Sequence, residues 1–341
     1  MYKTLKYIVI CILLTAASTA YAQALNTQVD SIRLVASPET PGPNTEVRLE
    51  VQGVGSFVGD STITWQENDA VVKSGVGERT HTFTTGGVGS VTRIRVTVES
   101  LILGTMVREL TFVPAQVYLV WEADTSTPPL YRGKALYSLG SQITVTAFPQ
   151  VVANGATLST NNLSFQWQRG GTAVSAQSGK GRSALTVEGD QLKAGESVSV
   201  DVYFGDVRVA RGSVFIPATD PQILLYPRDP LRGVLFDQAL PAAISLASRE
   251  ITVQAVPYFF ANKSLADGSL VYDWTLNNQT TSGPETGRGI LTLRQSGEGT
   301  GSATLGVSLQ NTDGSKLLQA AEAAVRIVFG AQSSGSSLFG L

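Results

Sequence analysis

Cysteine and histidine are almost missing from this 341-residue chain, which contains one of each. Cys11 lies in the first apolar stretch, so the rest of the chain can form no disulfide. A zinc site needs three or four histidine or cysteine ligands, and a catalytic triad needs a histidine beside a nucleophile. His81 lies in the alternating stretch "RTHTFTT", and no G-x-S-x-G motif accompanies it. We therefore expect no catalytic residues and no enzyme activity.

Charge is also scarce, since only 15% of the residues are charged. Lysine and arginine number 25 against 27 acidic residues, and this balance gives no basic surface for nucleic acid. No phosphate-binding loop followed by a helix is present, so we expect no nucleotide cofactor. We also expect no metal. A weaker alternative is a calcium site formed by Asp220, Asp229 and Asp237.

The first 22 residues have the pattern of a secretory signal. Lys3 and Lys6 precede the apolar run "YIVICILLTAA", and a cleavage motif ends at Ala22. Residues 1–22 are therefore predicted to be a signal peptide, which indicates a periplasmic, extracellular or cell-surface protein. The alternative is an uncleaved anchor helix, the one route by which we expect this chain to contact a membrane.

Three tryptophans end similar alternating stretches about a hundred residues apart. They lie in "STITWQENDAVV", "LSFQWQRGGTAV" and "LVYDWTLNNQTT" as Trp65, Trp167 and Trp274. A period of two puts each ring on the same face as other apolar residues, which is typical of a half-buried strand. Polar or glycine pairs follow each stretch, as tight hairpins require. We predict that the three tryptophans are core residues.

Matching strands surround each tryptophan strand. One alternating strand precedes it, and a further strand and a long closing strand follow it, as in "TEVRLEVQG", "VTRIRVTVE" and "TMVRELTFV". This repetition predicts three domains at 23–114, 115–219 and 220–330, followed by a flexible tail at 331–341. The joints are short and contain proline, so we expect a semi-rigid, elongated array.

The order of these strands resembles the tandem immunoglobulin-like (Ig-like) and PKD-like modules of bacterial surface proteins. The resemblance covers residues 23–330 and depends on the three buried tryptophans. It implies an all-β fold of three tandem Ig-like β-sandwich domains after a cleaved signal peptide. Animal Ig domains usually carry a disulfide, so its absence from an exported protein favours a bacterial source. The function implied is that of a non-enzymatic structural, spacer or adhesive element.

Candidate contact residues lie in two places. The stretch "VPYFFANKS" carries Tyr258, Phe259 and Phe260, which would serve a carbohydrate-binding module if they were exposed; Tyr131 and Tyr137 are weaker candidates. The other interpretation makes this stretch a lid on the core. In the tail, Phe339 and Leu341 have the spacing that some PDZ domains capture, although a frayed end is the alternative. The partner is expected to be another surface or periplasmic protein, or a glycan.

The second and third repeats share an insertion with a Pro-Leu…Arg-Gly step, at 129–133 and 230–233. We interpret it as a strand that changes sheets, with glycine permitting the bend. The alternative is a shared binding element.

Overall fold

The computed structural model describes residues 32–53, 57–246, 248–297 and 299–330. The predicted signal peptide and the predicted tail, with Phe339 and Leu341, lie outside these residues. The described chain is built mainly of antiparallel strands and divides into two compact units, the first ending at Ala115 and the second beginning at Gln116.

The first unit is one sandwich of two antiparallel sheets. One sheet has the order β1–β2–β5, and the other has the order β4–β3–β6–β7. A short helix, α1 (Phe57–Asp60), precedes β3. The strands are β1 (Ile32–Ser37), β2 (Glu46–Gly53), β3 (Thr62–Glu67), β4 (Ala70–Val76), β5 (Thr80–Thr84), β6 (Thr92–Ser100) and β7 (Gly104–Phe112).

The second unit begins with a sandwich of the same plan. Its sheets have the orders β15–β9–β8 and β13–β12–β16–β17, with β14 also pairing with β12. The strands are β8 (Gln116–Ala123), β9 (Gln142–Gln150), β10 (Val152–Ala153), β11 (Ala156–Thr157), β12 (Ser164–Arg169), β13 (Thr172–Ala173), β14 (Gly179–Lys180), β15 (Ala184–Glu188), β16 (Gly195–Phe204) and β17 (Val207–Pro217).

The third sandwich completes the second unit. Its sheets have the orders β19–β18–β21–β24 and β20–β26–β25–β22–β23, and α2 (Asn262–Asp267) precedes β22. The strands are β18 (Gln222–Asp229), β19 (Gly233–Val234), β20 (Ala243–Leu246), β21 (Glu250–Tyr258), β22 (Leu270–Leu276), β23 (Gln279–Thr281), β24 (Ile290–Arg294), β25 (Gly301–Asn311) and β26 (Ala320–Phe329).

All three sandwiches therefore share one core strand order, which is that of an immunoglobulin-type sandwich, and the third adds β19 and β20 at its sheet edges. In each, the tryptophan strand lies beside the downstream strand in one sheet, and the upstream strand lies in the opposite sheet. The all-β fold of tandem Ig-like sandwiches is confirmed. The sequence did not predict that the second and third sandwiches belong to one compact unit.

The three tryptophans lie at the centres of these sandwiches and are almost fully buried. Each indole N–H donates to a backbone carbonyl, from Trp65 to Glu78 (2.8 Å), from Trp167 to Arg182 (2.9 Å) and from Trp274 to Thr286 (3.2 Å). Each acceptor lies in the connection that leads into β5, β15 or β24. Each indole ring thus fills its core. Its hydrogen bond satisfies an N–H that would be costly to bury without a partner, and the same bond holds the connection against the core.

The hairpins after the tryptophan strands have the backbone that their sequences predict. The paired turn residues all have positive φ, at Asn68-Asp69, Gly170-Gly171 and Asn277-Asn278. Asn, Asp and Gly tolerate this conformation better than other residues, which explains their use here.

The inserted Pro-Leu…Arg-Gly step has different outcomes in the two repeats. In the third sandwich the chain changes sheets as predicted, since β18 pairs with β21 and β20 then pairs in parallel with β26. Gly233 has φ +78° and pairs with Asp229 in a hairpin of β18 and β19, so the change of sheets follows it, between β19 and β20. In the second sandwich the prediction is wrong, because the residues between β8 and β9 form no switched strand and contact the third sandwich instead.

Candidate functional site

The aromatic stretch at the end of β21 is buried in the joint between the second and third sandwiches. Tyr258 and Phe259 retain little exposed surface and Phe260 retains none. The prediction that these three residues form an exposed contact surface is therefore wrong. Tyr137, a weaker candidate, is also fully buried. The second interpretation of the stretch, a lid, is closer to what the structure shows.

Backbone pairing fixes this stretch against the second sandwich. The N–H of Ser126 donates to the carbonyl of Phe260 (2.7 Å), and the N–H of Phe259 donates to the carbonyl of Ser126 (2.7 Å). The Ser126 hydroxyl accepts from the Phe260 N–H (3.1 Å) and donates to the Pro257 carbonyl (3.2 Å). The two sandwiches thus share a short antiparallel ladder, which a flexible linker would not provide.

An aromatic cluster covers this ladder. Tyr131, from the inserted step of the second sandwich, meets Tyr258 and Phe259 edge to face at centroid distances of 5.8 and 6.2 Å. The hydroxyls of Tyr258 and Tyr226 lie 2.6 Å apart, and burial together with this hydrogen bond raises the pKa of Tyr258. The inserted step therefore acts as a structural contact between sandwiches.

A buried amide is the centre of the same joint. The Gln319 side chain donates from Nε2 to the Ser138 hydroxyl (3.0 Å) and the Leu139 carbonyl (2.9 Å). Its Oε1 accepts from the Ala261 N–H (3.1 Å) and from Asn311 Nδ2 (3.0 Å). Gln319 has no exposed surface. The amide nitrogen thus bonds to the second sandwich and the amide oxygen to the third. Because both atoms have partners, Gln319 links the two sandwiches with defined geometry.

A buried lysine completes the joint. Nζ of Lys316 lies 2.8 Å from Asp313 and 3.3 Å from Glu188 of the second sandwich. Burial opposes the charge of Lys316, but its hydrogen bonds to these carboxylates outweigh burial and raise its pKa. Hydrogen bonds from Lys316 and Ser315 hold the pKa of Asp313 well below its usual range.

Tyr137 closes the base of the second sandwich, the end at which β16 begins. Its hydroxyl donates to the Asp190 carbonyl (3.0 Å), and its ring lies where a side chain at Gly189 would stand. Burial raises the pKa of Tyr137 to about 12. Beside it, Arg169 forms a two-point ion pair with Glu196 (2.6 and 2.8 Å).

The surroundings of His81 are those of a packed residue. Its ring lies 5.5 Å from that of Trp65, and Nε2 lies 3.9 Å from the Glu67 carboxylate, too far for a hydrogen bond. Burial lowers the pKa of His81. No serine or cysteine nucleophile accompanies it within hydrogen-bond distance in the described residues.

An exposed aliphatic tip, which the sequence predictions did not include, projects from the first sandwich. Leu101, Ile102 and Leu103 form the turn between β6 and β7 and are 105%, 83% and 48% exposed. The Ser100 hydroxyl accepts from the N–H groups of Ile102 and Leu103 (3.3 Å each), and Gly104 has φ +73°. The turn is thus held in one shape. Three aliphatic residues before a glycine, between alternating strands, are the signal that could have revealed it.

A second exposed surface lies on the second sandwich. Tyr118 on β8 and Phe148 on β9 are direct cross-strand neighbours on the outer face, and each is about half exposed. Alternation predicts that both point away from the core, but the sequence does not reveal that they lie opposite each other.

Among residues 32–53, 57–246, 248–297 and 299–330, no three His, Cys, Asp or Glu side chains are grouped as metal ligands; this applies to Asp220, Asp229 and Asp237. None of the helices in the described ranges has the length and hydropathy that a bilayer crossing requires.

Comparisons with known proteins give only distant likenesses. No family model matches the chain, and no curated protein is significantly similar to it. Among solved structures, the three N-terminal domains of the Hoc outer capsid protein of bacteriophage RB49 are 13% identical, with a TM-score of 0.26, over 89% of this chain and 99% of that one.

Two further structures have similar values. The central fibronectin-III array of RIM-binding protein is 11% identical, with a TM-score of 0.28, over 87% of this chain and 95% of that one. The Bacteroides ovatus glucan-utilization protein SGBP-B, solved with a mixed-linkage heptasaccharide, is 13% identical, with a TM-score of 0.22, over 89% of this chain and 71% of that one. TM-scores this low carry no argument, so the Ig-like fold stands on the strand order and the sites stand on their own geometry.

Proposed function

We propose that this chain is an exported, non-enzymatic bacterial protein of the Ig-like and PKD-like kind, acting as a structural, spacer or adhesive element. It would act at the cell surface or in the periplasm. The observation that carries the proposal is the aliphatic tip formed by Leu101, Ile102 and Leu103, since contiguous exposed apolar surface is a frequent mark of protein contact sites.

The chemistry of the tip favours an apolar groove on a partner protein. Burying a leucine or isoleucine side chain fully contributes about 1.5–3 kcal/mol, so three such residues can anchor a contact. The turn is already ordered by Ser100, which reduces the entropy that binding must overcome. The fixed joint between the second and third sandwiches supports the spacer role, because it holds two domains in one arrangement.

Site-specific photocrosslinking in intact cells tests this proposal. A photoreactive amino acid at Ile102 should give a discrete adduct, and Leu101→Ser with Leu103→Ser should reduce it at least about fivefold. The control position is Leu231, which is 96% exposed but has no exposed leucine or isoleucine beside it. Equal labelling from Ile102 and Leu231 would count against a contact at the tip.

We retain carbohydrate binding as a second candidate, now on different residues. Tyr118 and Phe148 form a neighbouring aromatic pair on an exposed sheet face, and stacking on sugar rings uses such surfaces. A glycan array with the full chain and the Tyr118→Ala/Phe148→Ala variant tests it. Phe215→Ala is the control, since Phe215 is exposed on β17 outside this pair. If no glycan is bound, or if the two variants bind alike, this candidate is wrong.

A further inference from the structure

The third sandwich has an open apolar cavity at its base, the end at which β25 begins and β26 ends. Its volume is about 430 Å³, within the range of small-molecule sites. Both sheets contribute to its walls. The apolar lining consists of Leu246, Leu276, Leu293, Ala303, Ile327 and Phe329. The polar residues that also line it are Asn277, Arg294, Gln295, Ser296 and Thr300.

Strand register identifies the corresponding place in the second sandwich. Trp167 lies opposite Val200 there, as Trp274 lies opposite Val307 in the third sandwich. Counting along the strands from these pairs gives equivalent positions at the two bases. The base of one sandwich can thus be compared with that of the other residue by residue.

An aromatic ring occupies that place in the second sandwich. Arg169 and Glu196 correspond to the cavity residues Leu276 and Ala303. Asp190 connects this pair to the buried Tyr137, because its N–H donates to Glu196 (2.6 Å) and its carbonyl accepts from the Tyr137 hydroxyl (3.0 Å). The cavity of the third sandwich is therefore the position that the Tyr137 ring fills in the second. The base of the first sandwich gives no such comparison, because Phe112, opposite Thr92, corresponds to the cavity-wall residue Ile327, opposite Ala303.

The residues that line the cavity indicate what kind of side chain would fill it. A polar ion pair accompanies the tyrosine hydroxyl in the second sandwich, whereas leucine and alanine stand at those positions in the third. The occupant should therefore be an apolar ring without a hydroxyl, accompanied by aliphatic groups.

We propose that Phe339, with Leu338 and Leu341, folds back and fills this cavity in the same chain. The sequence after Gly330 is "AQSSGSSLFGL", in which a Gly/Ser-rich spacer without charged side chains precedes an apolar tip. It leaves the described structure beside Phe329, which lines the cavity. Eight residues lie between Gly330 and Phe339. The nine Cα-to-Cα steps span at most about 30 Å and average about 16 Å for a Gly/Ser-rich chain, which suffices.

Binding of the tail as a separate peptide tests the proposal. The probe is a fluorescein-labelled peptide of residues 331–341, titrated by anisotropy into the full chain carrying Phe339→Ser, whose cavity would be vacant. We expect saturable binding with a Kd below about 1 mM, since a short flexible linker gives an effective concentration in the millimolar range. Wild-type chain should bind the peptide at least about fivefold more weakly, because its own tail competes.

Matched controls separate the cavity from other surfaces. A peptide with Phe339→Ser should not bind, and filling the cavity by Ala303→Phe or, if that variant unfolds, by Leu246→Phe should abolish binding. The proposal is overturned by lack of saturation up to 1 mM, by equal binding to wild type and variant, or by binding that survives cavity filling. A dimer in sedimentation velocity that requires Phe339 would assign the cavity to a second copy and overturn the intramolecular contact.

Discussion

Replacing Gln319 by alanine should loosen the joint between the second and third sandwiches. The change removes four hydrogen bonds at a site without exposed surface, and it leaves the Ala261 N–H and the Asn311 amide short of a partner. Each of the two stranded groups costs about 1–3 kcal/mol, and this cost already includes the lost bond. We expect a total loss of about 2–6 kcal/mol.

Differential scanning calorimetry measures this effect. A change of this size in a unit of roughly 200 residues lowers its Tm by about 10 °C, while the transition of the first sandwich should not move. Gln310→Ala is the matched control, since Gln310 lies exposed on β25 and should change stability by no more than about 0.5 kcal/mol. A Tm shift below about 2 °C for Gln319→Ala would refute the reasoning that this amide couples the sandwiches.

Two further predictions concern the cores. Trp167→Ala should lower the free energy of unfolding by about 3–5 kcal/mol in urea titrations, because it removes a buried ring and its bond to the Arg182 carbonyl; an unchanged midpoint would contradict a sealed indole. Burial acts against the charge of Glu196, but the hydrogen bonds from Arg169 outweigh it and lower the pKa of Glu196 below 4.5. The stabilisation is therefore present above about pH 4.5 and is lost as the pH falls. Glu196→Gln should cost about 2 kcal/mol at pH 7, and this cost should shrink as the pH falls below the usual range of a glutamate pKa; a cost that does not change with pH would contradict the assignment.

The sandwiches could be predicted from the sequence because their signals are local. A period of two around Trp65 specifies which face is buried, and Asn68-Asp69 specifies the turn that follows. These features depend on residues a few positions apart. Repetition at about a hundred residues then gives the architecture without any long-range information.

The joint could not be predicted, because its contacts join residues far apart in sequence. Alternation marks the stretch from Tyr258 to Phe260 as apolar, but it does not tell whether water or Ser126, more than a hundred residues earlier, covers it. The same applies to Gln319, whose polarity suggests a surface position although its partners lie across the joint. The exposed tip at Ile102 was missed for the opposite reason, since an apolar residue in a strand-rich chain is normally assigned to a core.

Backbone hydrogen exchange in the native protein tests the central claim, that the second and third sandwiches are fused through a sealed ladder. The amides of Ser126, Phe259 and Phe260 are bonded across the joint, whereas the turn at Ile102 is exposed. The account predicts that these three amides exchange as slowly as those of β21 and β25. Exchange as fast as at the Ile102 turn would contradict it.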